Sequence, residues 1–362
     1  MRLATALSAL VLACVVPVAA CANAGLASTA PATAAETATV APSAAQSMQS
    51  MNGLTMGTTW SVRLQADAAA VPDLQRDVQA QLDLVVAQMS TWEPGSDLSR
   101  FNRAAAGTRQ PLPPEMRQVM DAALALARDT GGAFDPTVGA LVNLWGFGPD
   151  GERRAPDAAL LDRTMTRVGW QRLKLDASGV MTQPGDAYVD LSGIAKGYAV
   201  DQVTRYLLAQ EVPAFLVEVG GELRSHGHKP DGTPWRIAVE QPTPADFNEH
   251  AAAAQAVVAL DGVAMATSGD YRHFLAEDGR RYSHTIDPRN GQPVSHGLAS
   301  VSVLHAECMH ADALATALTV LGPAQGWDYA RRRKLAAFFV WHDGDGFKTR
   351  MTPQFRAALS PL

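Results

Sequence analysis

The segment DLSGIAKG at residues 190–197 gathers an aspartate, a glycine and a lysine where a helix is predicted to begin. We expect the end of a strand, a turn that contains Gly193, and then the first turn of the helix near Gly197. A helix N-terminus offers unpaired N–H groups and a positive dipole end, and Lys196 adds a full charge, so the segment favours a phosphate. It matches neither GxxxxGK[ST] nor GxGxxG, and a plain strand-to-helix turn with a surface lysine remains an alternative.

A second candidate is CMHADALAT at residues 308–316. Helical spacing places Asp312 and Thr316 one turn apart on the same face, opposite a row of leucines. Carboxylate and hydroxyl oxygens suit Mg²⁺ or Ca²⁺. The alternative is that the aspartate only complements the dipole of the first helical turn while the threonine faces water.

A third candidate is YSHTIDP at residues 282–288, which places His284 and Asp287 just before a turn. A histidine that a carboxylate orients can accept a proton near neutral pH. A loop histidine beside an Asp-Pro turn is the simpler alternative. Gly-Ala-Phe-Asp at residues 132–135 and Met56, which precedes Gly57 at the entry to the first strand, carry little information alone.

The elements that must position these residues mix helices and strands irregularly. Apolar residues at helical spacing predict two amphipathic helices, at residues 74–89 and 116–127, the second begun by Pro113-Pro114 and ended by Gly131-Gly132. Strands are predicted at 215–219, 235–240, 256–260, 298–304 and 336–341, with turns at Gly220-Gly221 and Asn290-Gly291. Because the order is not a regular βαβ repeat, we predict an α+β fold.

Composition narrows the class of protein. The 362 residues are 47% hydrophobic and carry a net charge of -6, which suffices for a large core and argues against a nucleic-acid binder. Only Cys308 lies outside the first 21 residues, so no disulfide is predicted, and the absence of CxxC and HExxH argues against zinc.

The first 21 residues, with one arginine and then an apolar run, predict a secretory signal peptide. The sequence VAAC resembles a lipobox that ends at Cys21, which would make this cysteine the lipidated residue of a membrane-anchored lipoprotein. Ordinary cleavage near Ala22-Asn23-Ala24 and an uncleaved membrane anchor are the alternatives. Residues 22–50, rich in Ala, Thr, Ser and Pro, predict a flexible tether, which leaves 51–362 as the folded domain.

Eight motifs occur together in one order along residues 52–345: MGTTWSV, MSTWEPGSDLSRFN, GAFDPTVGALVNLWGFG, DLSGIAKGYAVD, VEVGGEL, ATSGDYRHF, YSHTIDPRNG and ADALATALTVLG. In this combination the chain resembles the ApbE family of FAD:protein FMN transferases. The resemblance implies an α+β fold of mixed sheets and packed helices, with FAD in a cleft between two subdomains. It implies Mg²⁺-dependent transfer of FMN from FAD to a threonine or serine hydroxyl of an acceptor flavoprotein, with release of AMP.

The resemblance also implies roles for individual residues. Met56, Trp92 and Ile286 would contact FAD, with Trp92 against the flavin. Residues 133–135 (Ala133, Phe134 and Asp135) would line the adenine and ribose end, and Asp190 and Lys196 would make polar contacts. The metal positions are Gly193 through its backbone oxygen, Asp312, Ala315 and Thr316.

One departure from the family concerns the metal. Some members carry a second acidic residue where this chain has Ala315, so the expected affinity for the cation is lower. Mg²⁺ is expected, although Ca²⁺ fits the same oxygens. His284, oriented by Asp287, is the predicted proton acceptor.

Family targets include flavin-carrying subunits of the Rnf and sodium-pumping quinone reductase complexes, and many members are periplasmic lipoproteins. The expected location is therefore the periplasmic side of a membrane, with the lipid anchor at Cys21. An FAD pyrophosphatase, in which water attacks to give FMN and AMP, and a flavin-binding lipoprotein without activity are the alternatives.

Overall fold

The computed structural model describes residues 47–151, 154–240, 254–269, 274–277, 280–344 and 346–359. The predicted signal peptide, Cys21 and most of the predicted tether lie outside these ranges. The first strand begins at Ser47, so the last four residues assigned to the tether belong to the folded domain. These residues are mostly polar, so their composition does not indicate a strand. They form one because they pair with the next strand along the chain.

Fifteen strands are described, and their bounds run in chain order as follows: β1 (Ser47–Thr55), β2 (Thr58–Ala66), β3 (Arg109–Pro111), β4 (Lys174–Leu175), β5 (Val180–Thr182), β6 (Phe215–Val219), β7 (Glu222–His226), β8 (Trp235–Glu240), β9 (Ala254–Leu260), β10 (Ala264–Gly269), β11 (Phe274–Glu277), β12 (Arg280–Ser283), β13 (Leu298–His305), β14 (Ala336–Asp343) and β15 (Gly346–Met351). All five predicted strands are among them, and both predicted glycine turns are present, with Gly220, Gly221 and Gly291 at positive φ.

The described α-helices are α1 (Val71–Met89), α2 (Asp97–Asn102), α3 (Pro114–Asp129), α4 (Gly139–Leu144), α5 (Ala158–Met165), α6 (Ala195–Ala209), α7 (Cys308–Arg332) and α8 (Pro353–Ala357). The first two predicted helices correspond to α1 and α3, whose apolar stripes are buried. Gly131 and Gly132 follow α3 at positive φ, as predicted for a helix stop. Helix α7 is interrupted at Gly322, which is followed by Pro323.

An eight-stranded antiparallel sheet organises the molecule, in the order β1-β2-β6-β7-β10-β13-β14-β15. Alternate residues of its strands enter different clusters. Val217 of β6 and Val303 of β13 belong to the clusters on the side of α1, α6 and α7. Leu216, next to Val217, and Leu304, next to Val303, point to the other face of the sheet and pack with β8, β9 and α8. This mix of antiparallel sheet and helices confirms the α+β prediction.

Helices α6 and α7 cross closely at Gly197. A Cβ at this position would collide with the carbonyl oxygen of Cys308 and lie 2.8 Å from the Cβ of Asp312. Beside the crossing, the buried carboxylate of Asp201 on α6 accepts hydrogen bonds from the N–H groups of Cys308 (3.0 Å) and Met309 (2.9 Å). Asp201 of α6 therefore caps the N-terminus of α7, and this cap fixes the position of the polar residues of α7.

The segment before α6 differs from the prediction. Residues 187–190 do not form a strand, because their hydrogen bonds go to loops and side chains. The amide of Asn102 bonds both the N–H and the carbonyl of Val189 (2.8 Å each), and the N–H of Asp190 donates to the carbonyl of Pro136 (2.8 Å). The apolar residues of the segment, Ala187 and Val189, are buried without sheet pairing.

Within the described ranges, no helix combines the length and the apolar character that a bilayer crossing requires.

Candidate active site

The ammonium group of Lys196, in the first turn of α6, lies 2.7 Å from Oε1 of Glu222 at the start of β7. The lysine side chain is 31% exposed and the glutamate side chain 4% exposed. Burial lowers the pKa of Lys196, but the carboxylates of Glu222 and Asp312 outweigh this effect and raise it above its ordinary value. The lysine therefore carries its charge at the edge of the site, with part of its side chain open to a ligand.

Asp312 on α7 is buried and faces the N-terminus of α6. Its Oδ2 accepts a hydrogen bond of 3.0 Å from the N–H of Gly197. Burial raises the pKa of Asp312, against the opposing effects of Lys196 and of this hydrogen bond. The sequence placed this aspartate opposite the apolar face, but the structure buries it because α6 covers that side of α7. The N–H at Gly197, predicted to be open to a phosphate, is engaged by the carboxylate.

Thr316, one turn further along α7, lies against the turn that contains Gly193. A Cβ at Gly193 would lie 3.2 Å from Oγ1 of the threonine, which is closer than ordinary van der Waals contact, so the turn packs tightly against the hydroxyl. The same hydroxyl lies 3.2 Å from Oγ of Ser268 at the end of β10. Carboxylate, hydroxyl and main-chain oxygens are the ligands that Mg²⁺ and Ca²⁺ accept, so these residues fit a hard divalent cation.

The side chains around this location also limit what it can bind. Among the residues that the structure describes, no group of three or more His, Cys, Asp or Glu is placed to hold a metal ion. A cation here must therefore draw on hydroxyl and carbonyl oxygens besides Asp312. Ala315 is fully buried, and its carbonyl accepts a hydrogen bond of 2.9 Å from the hydroxyl of Thr319.

The hairpin between β1 and β2 meets this group of residues. Met56 and Gly57 form its two-residue turn, with φ of 48° and 72°, which is the left-handed backbone that such a hairpin requires. Next to it, a Cβ at Gly220 would lie 2.8 Å from Cγ2 of Thr58 and 3.4 Å from Cδ of Lys196. The predicted FAD contact Met56 is thus two residues from Thr58, which lies against the same glycine as the stem of Lys196.

The loop after α3 reaches the same place. A Cβ at Gly193 would lie 3.5 Å from the ring of Phe134, and Ala133 and Phe134 are both buried. Asp135 is buried and bonds within its own region: Oδ1 accepts from the N–H (2.8 Å) and hydroxyl (2.7 Å) of Thr137, and Oδ2 from the N–H of Trp170 (2.9 Å). Burial raises its pKa. These contacts indicate that Asp135 shapes the loop.

Asp190 and Trp92 belong to two different loops. Oδ1 of Asp190 accepts a hydrogen bond from the N–H of Ser192 (2.7 Å), which stabilises the turn toward Gly193. Trp92 lies in the loop between α1 and α2 and is 64% exposed, which is unusual for the largest side chain. The N–H groups of Trp92 and Glu93 donate to the hydroxyl of Ser90, so the backbone that carries the exposed ring is held. Such a ring is suited to stacking on a flat ligand.

The segment at 284–287 shows a different arrangement from the predicted one. Both carboxylate oxygens of Asp287 are engaged by Arg289, Oδ1 by Nε (2.9 Å) and Oδ2 by a terminal nitrogen (2.8 Å). This pairing stabilises the turn and gives Asp287 a role other than orienting His284. The ring of His284 stands edge-on to Phe147, with centroids 6.4 Å apart. Ile286 is buried in a cluster with Leu141.

The structure thus joins Lys196, Asp312, Gly193, Thr316 and Phe134, which span 183 positions of the chain. It also reveals two residues to which the sequence assigned no role. Glu222 follows the Gly220-Gly221 turn, and a carboxylate directly after a tight turn was the available signal. Asp201 gave no signal, because the N–H groups that it caps lie over 100 residues away.

Comparison with known proteins finds that the chain is similar to flavin transferases. A profile of the ApbE family matches residues 56–339. The FAD:protein FMN transferase of Klebsiella pneumoniae (strain 342) is 40% identical over 337 residues, which cover 91% of this chain and 92% of the relative.

Two solved structures are also similar. The apo crystal structure of the Pseudomonas stutzeri flavinyl transferase ApbE is 41% identical, covers 86% of this chain and 97% of its own, and has a TM-score of 0.79. The flavin transferase ApbE from Vibrio cholerae is 36% identical, covers 87% of this chain and 100% of its own, and also has a TM-score of 0.79.

Proposed function

The chain belongs to the ApbE family. We propose that it is an FAD:protein FMN transferase and that the divalent cation it uses is Mg²⁺. The observation that carries this proposal is the convergence of a cationic side chain, Lys196, with the oxygens of Asp312, Thr316 and the Gly193 turn. An ammonium group and a set of hard oxygen ligands beside each other suit a diphosphate and its counter-ion.

The residues that would hold the cation are Asp312 and Thr316 through their side chains and Gly193 through its backbone oxygen. Ala315 completes the predicted set of positions but offers no side-chain ligand, and its carbonyl is engaged by the hydroxyl of Thr319. When bound, the cation would neutralise charge on the diphosphate of FAD and on the departing AMP. Lys196 would donate to a phosphate oxygen with one N–H while another stays on Glu222, because an ammonium group has three donors. Met56, Trp92, Phe134 and Ile286 would provide apolar surface for the flavin and the adenine.

The transfer itself forms one bond and breaks one. A threonine or serine oxygen of the acceptor attacks the phosphorus of the FMN half of FAD, and the bond from this phosphorus to the bridging oxygen breaks. AMP leaves with that oxygen, while the acceptor hydroxyl loses its proton to a base. Because two phosphates repel the incoming oxygen, positioning and charge neutralisation would supply most of the acceleration.

His284 is the proposed proton acceptor, and its replacement gives a testable expectation. We expect His284→Ala to slow FMN transfer by about 10²-fold, the usual contribution of a positioned base, while FAD affinity stays close to that of the unmodified protein. Single-turnover transfer and FAD fluorescence titration would measure the two effects separately. His228→Ala, at an exposed position, is the matched control. Full transfer activity in the His284 variant would show that His284 is not the base.

Further proposals concern the surroundings of the enzyme. We propose that it is a lipoprotein on the periplasmic side of a membrane, anchored at Cys21 and joined to the domain by the residues before Ser47. The acceptor would be a flavin-carrying subunit of the Rnf or sodium-pumping quinone reductase type. Support for both comes from the N-terminal sequence pattern and from the family resemblance.

One assay tests the function. The purified chain is incubated with FAD and Mg²⁺, with and without an acceptor domain of the proposed type, and is followed by in-gel flavin fluorescence and by release of AMP. Labelling of the acceptor together with AMP is the expected result. AMP without an acceptor would instead indicate an FAD pyrophosphatase, and neither product would indicate a flavin-binding protein without activity.

A further inference from the structure

Glu222 is a buried acid to which the proposed reaction assigns no chemical step. Its side chain is 4% exposed, and Oε1 pairs with the ammonium of Lys196 at 2.7 Å. Its second oxygen, Oε2, is buried and has no hydrogen-bond partner among the described residues. Burial raises the pKa of Glu222 to about 7, although Lys196 opposes the shift. A carboxylate held in so unfavourable a setting calls for an explanation beyond stability, since buried ion pairs often add little to it.

The explanation lies in the second carboxylate. Lys196 is under the electrostatic influence of both Glu222 and Asp312, and each of the two acids raises its pKa. A partly buried ammonium group pairs with an available carboxylate. Asp312 lies close to this part of α6, because its Oδ2 accepts from the N–H of Gly197, the residue that follows Lys196. In the absence of Glu222, Asp312 would be the other carboxylate for the ammonium, and it occupies the metal position.

The surrounding backbone holds the glutamate in place. Glu222 directly follows the Gly220-Gly221 turn and is the first residue of β7, where it pairs with Val219 of β6. The turn also touches the stem of Lys196, because a Cβ at Gly220 would lie 3.4 Å from Cδ of the lysine. The hairpin therefore directs both the stem and the head of the lysine.

We propose that Glu222 is a positioning residue that holds the ammonium of Lys196 and thereby keeps the carboxylate of Asp312 available to the divalent cation. This inference rests on the proposed metal-dependent function. The ammonium group and the metal ion compete for the carboxylate of Asp312. Because Glu222 pairs with the ammonium, that carboxylate stays available to the metal. Lys196 remains charged and close to the diphosphate without occupying the metal ligand.

Direct metal binding tests the inference without turnover. Mn²⁺ titrations followed by electron paramagnetic resonance would be run on the full chain and on Glu222→Gln, which keeps the shape of the side chain and removes its charge. We expect roughly tenfold weaker Mn²⁺ binding in the variant, since the cation must displace a charge-assisted hydrogen bond from Asp312. A crystal structure of Glu222→Gln grown without metal should show the Lys196 ammonium bonded to Asp312.

Two further variants separate this role from a loss of folding or of general negative charge. Glu218, on the same hairpin, accepts hydrogen bonds from Ser61 and Gly221. The variant Glu218→Gln should bind Mn²⁺ as the unmodified chain does. The double variant Lys196→Met/Glu222→Gln should recover the affinity, because the competing ammonium is gone. Unchanged Mn²⁺ binding in Glu222→Gln, or a Lys196 ammonium that stays beside residue 222 in that variant, would overturn the role of Glu222 and leave the metal site standing. Failure of the unmodified chain to bind Mn²⁺ would overturn the metal site as well.

Discussion

Replacement of Asp312 by alanine is expected to abolish metal-dependent FMN transfer, with a loss of about 10³-fold or more in kcat/KM. Asp312 is the one acidic side chain among the four proposed metal positions; the hydroxyl of Thr316 and the backbone oxygen of Gly193 supply no formal charge, and Ala315 offers no side-chain ligand. Without the carboxylate, the site offers too little negative charge to bind a divalent cation beside a lysine. The measurement is single-turnover transfer over a range of Mg²⁺ concentrations.

The control for this variant lies on the same helix. Asp328→Ala removes an exposed aspartate of α7 beyond the interruption at Gly322 and should leave transfer and metal dependence unchanged. Because Asp312 also accepts the N–H of Gly197, thermal unfolding of both variants must be compared, so that a loss of fold is not mistaken for a loss of metal. An Asp312→Ala variant that folds and retains full Mg²⁺-dependent transfer would show that the cation binds elsewhere.

The second large effect is expected for Lys196→Met, which retains the length of the stem and removes the charge. We expect kcat/KM for FAD to fall by about 10²-fold to 10³-fold, as observed when one preorganised donor to a developing charge is lost. The variant also leaves Glu222 buried without its partner. Since burial already raises the pKa of this acid, we expect it to be protonated and therefore tolerated in the fold.

Transfer kinetics and Mn²⁺ binding should respond to this variant in different ways. Transfer should fall, whereas Mn²⁺ affinity should stay equal or increase, because a repelling cation is removed from beside Asp312. Lys174→Met, at an exposed position on β4, serves as the matched control and should behave as the unmodified chain. Normal transfer by Lys196→Met would exclude the lysine from the diphosphate site.

Much of the fold followed from local sequence. The helices α1 and α3 show apolar residues at regular helical spacing, and β6 and β14 are rich in β-branched and aromatic residues, so period and composition suffice. The start of β1 at Ser47 was not predictable in this way. Its residues are mostly polar, and the strand exists because each of them pairs with a residue of β2.

The sequence indicates a set of candidate site residues but not the network of contacts among them. Family motifs proposed Lys196, Asp312 and Thr316, and the structure brings their segments together. The partners of these residues depend on long-range packing: Gly197 meets Asp312 across 115 positions, and Lys196 finds Glu222 through a hairpin that local sequence does not orient. The segment before α6 resembles a strand for a related reason, since its local pattern does not reveal that Asn102 and Pro136 take its hydrogen bonds.

The most direct test of the central claim is a crystal structure of the chain with FAD and Mn²⁺, in which anomalous scattering locates the metal. We expect a single anomalous peak within coordination distance of the oxygens of Asp312 and Thr316, in contact with the FAD diphosphate. The Lys196 ammonium should lie within hydrogen-bond distance of a phosphate oxygen while it still contacts Glu222. A diphosphate bound away from Lys196, or a metal peak that does not touch Asp312, would contradict the account.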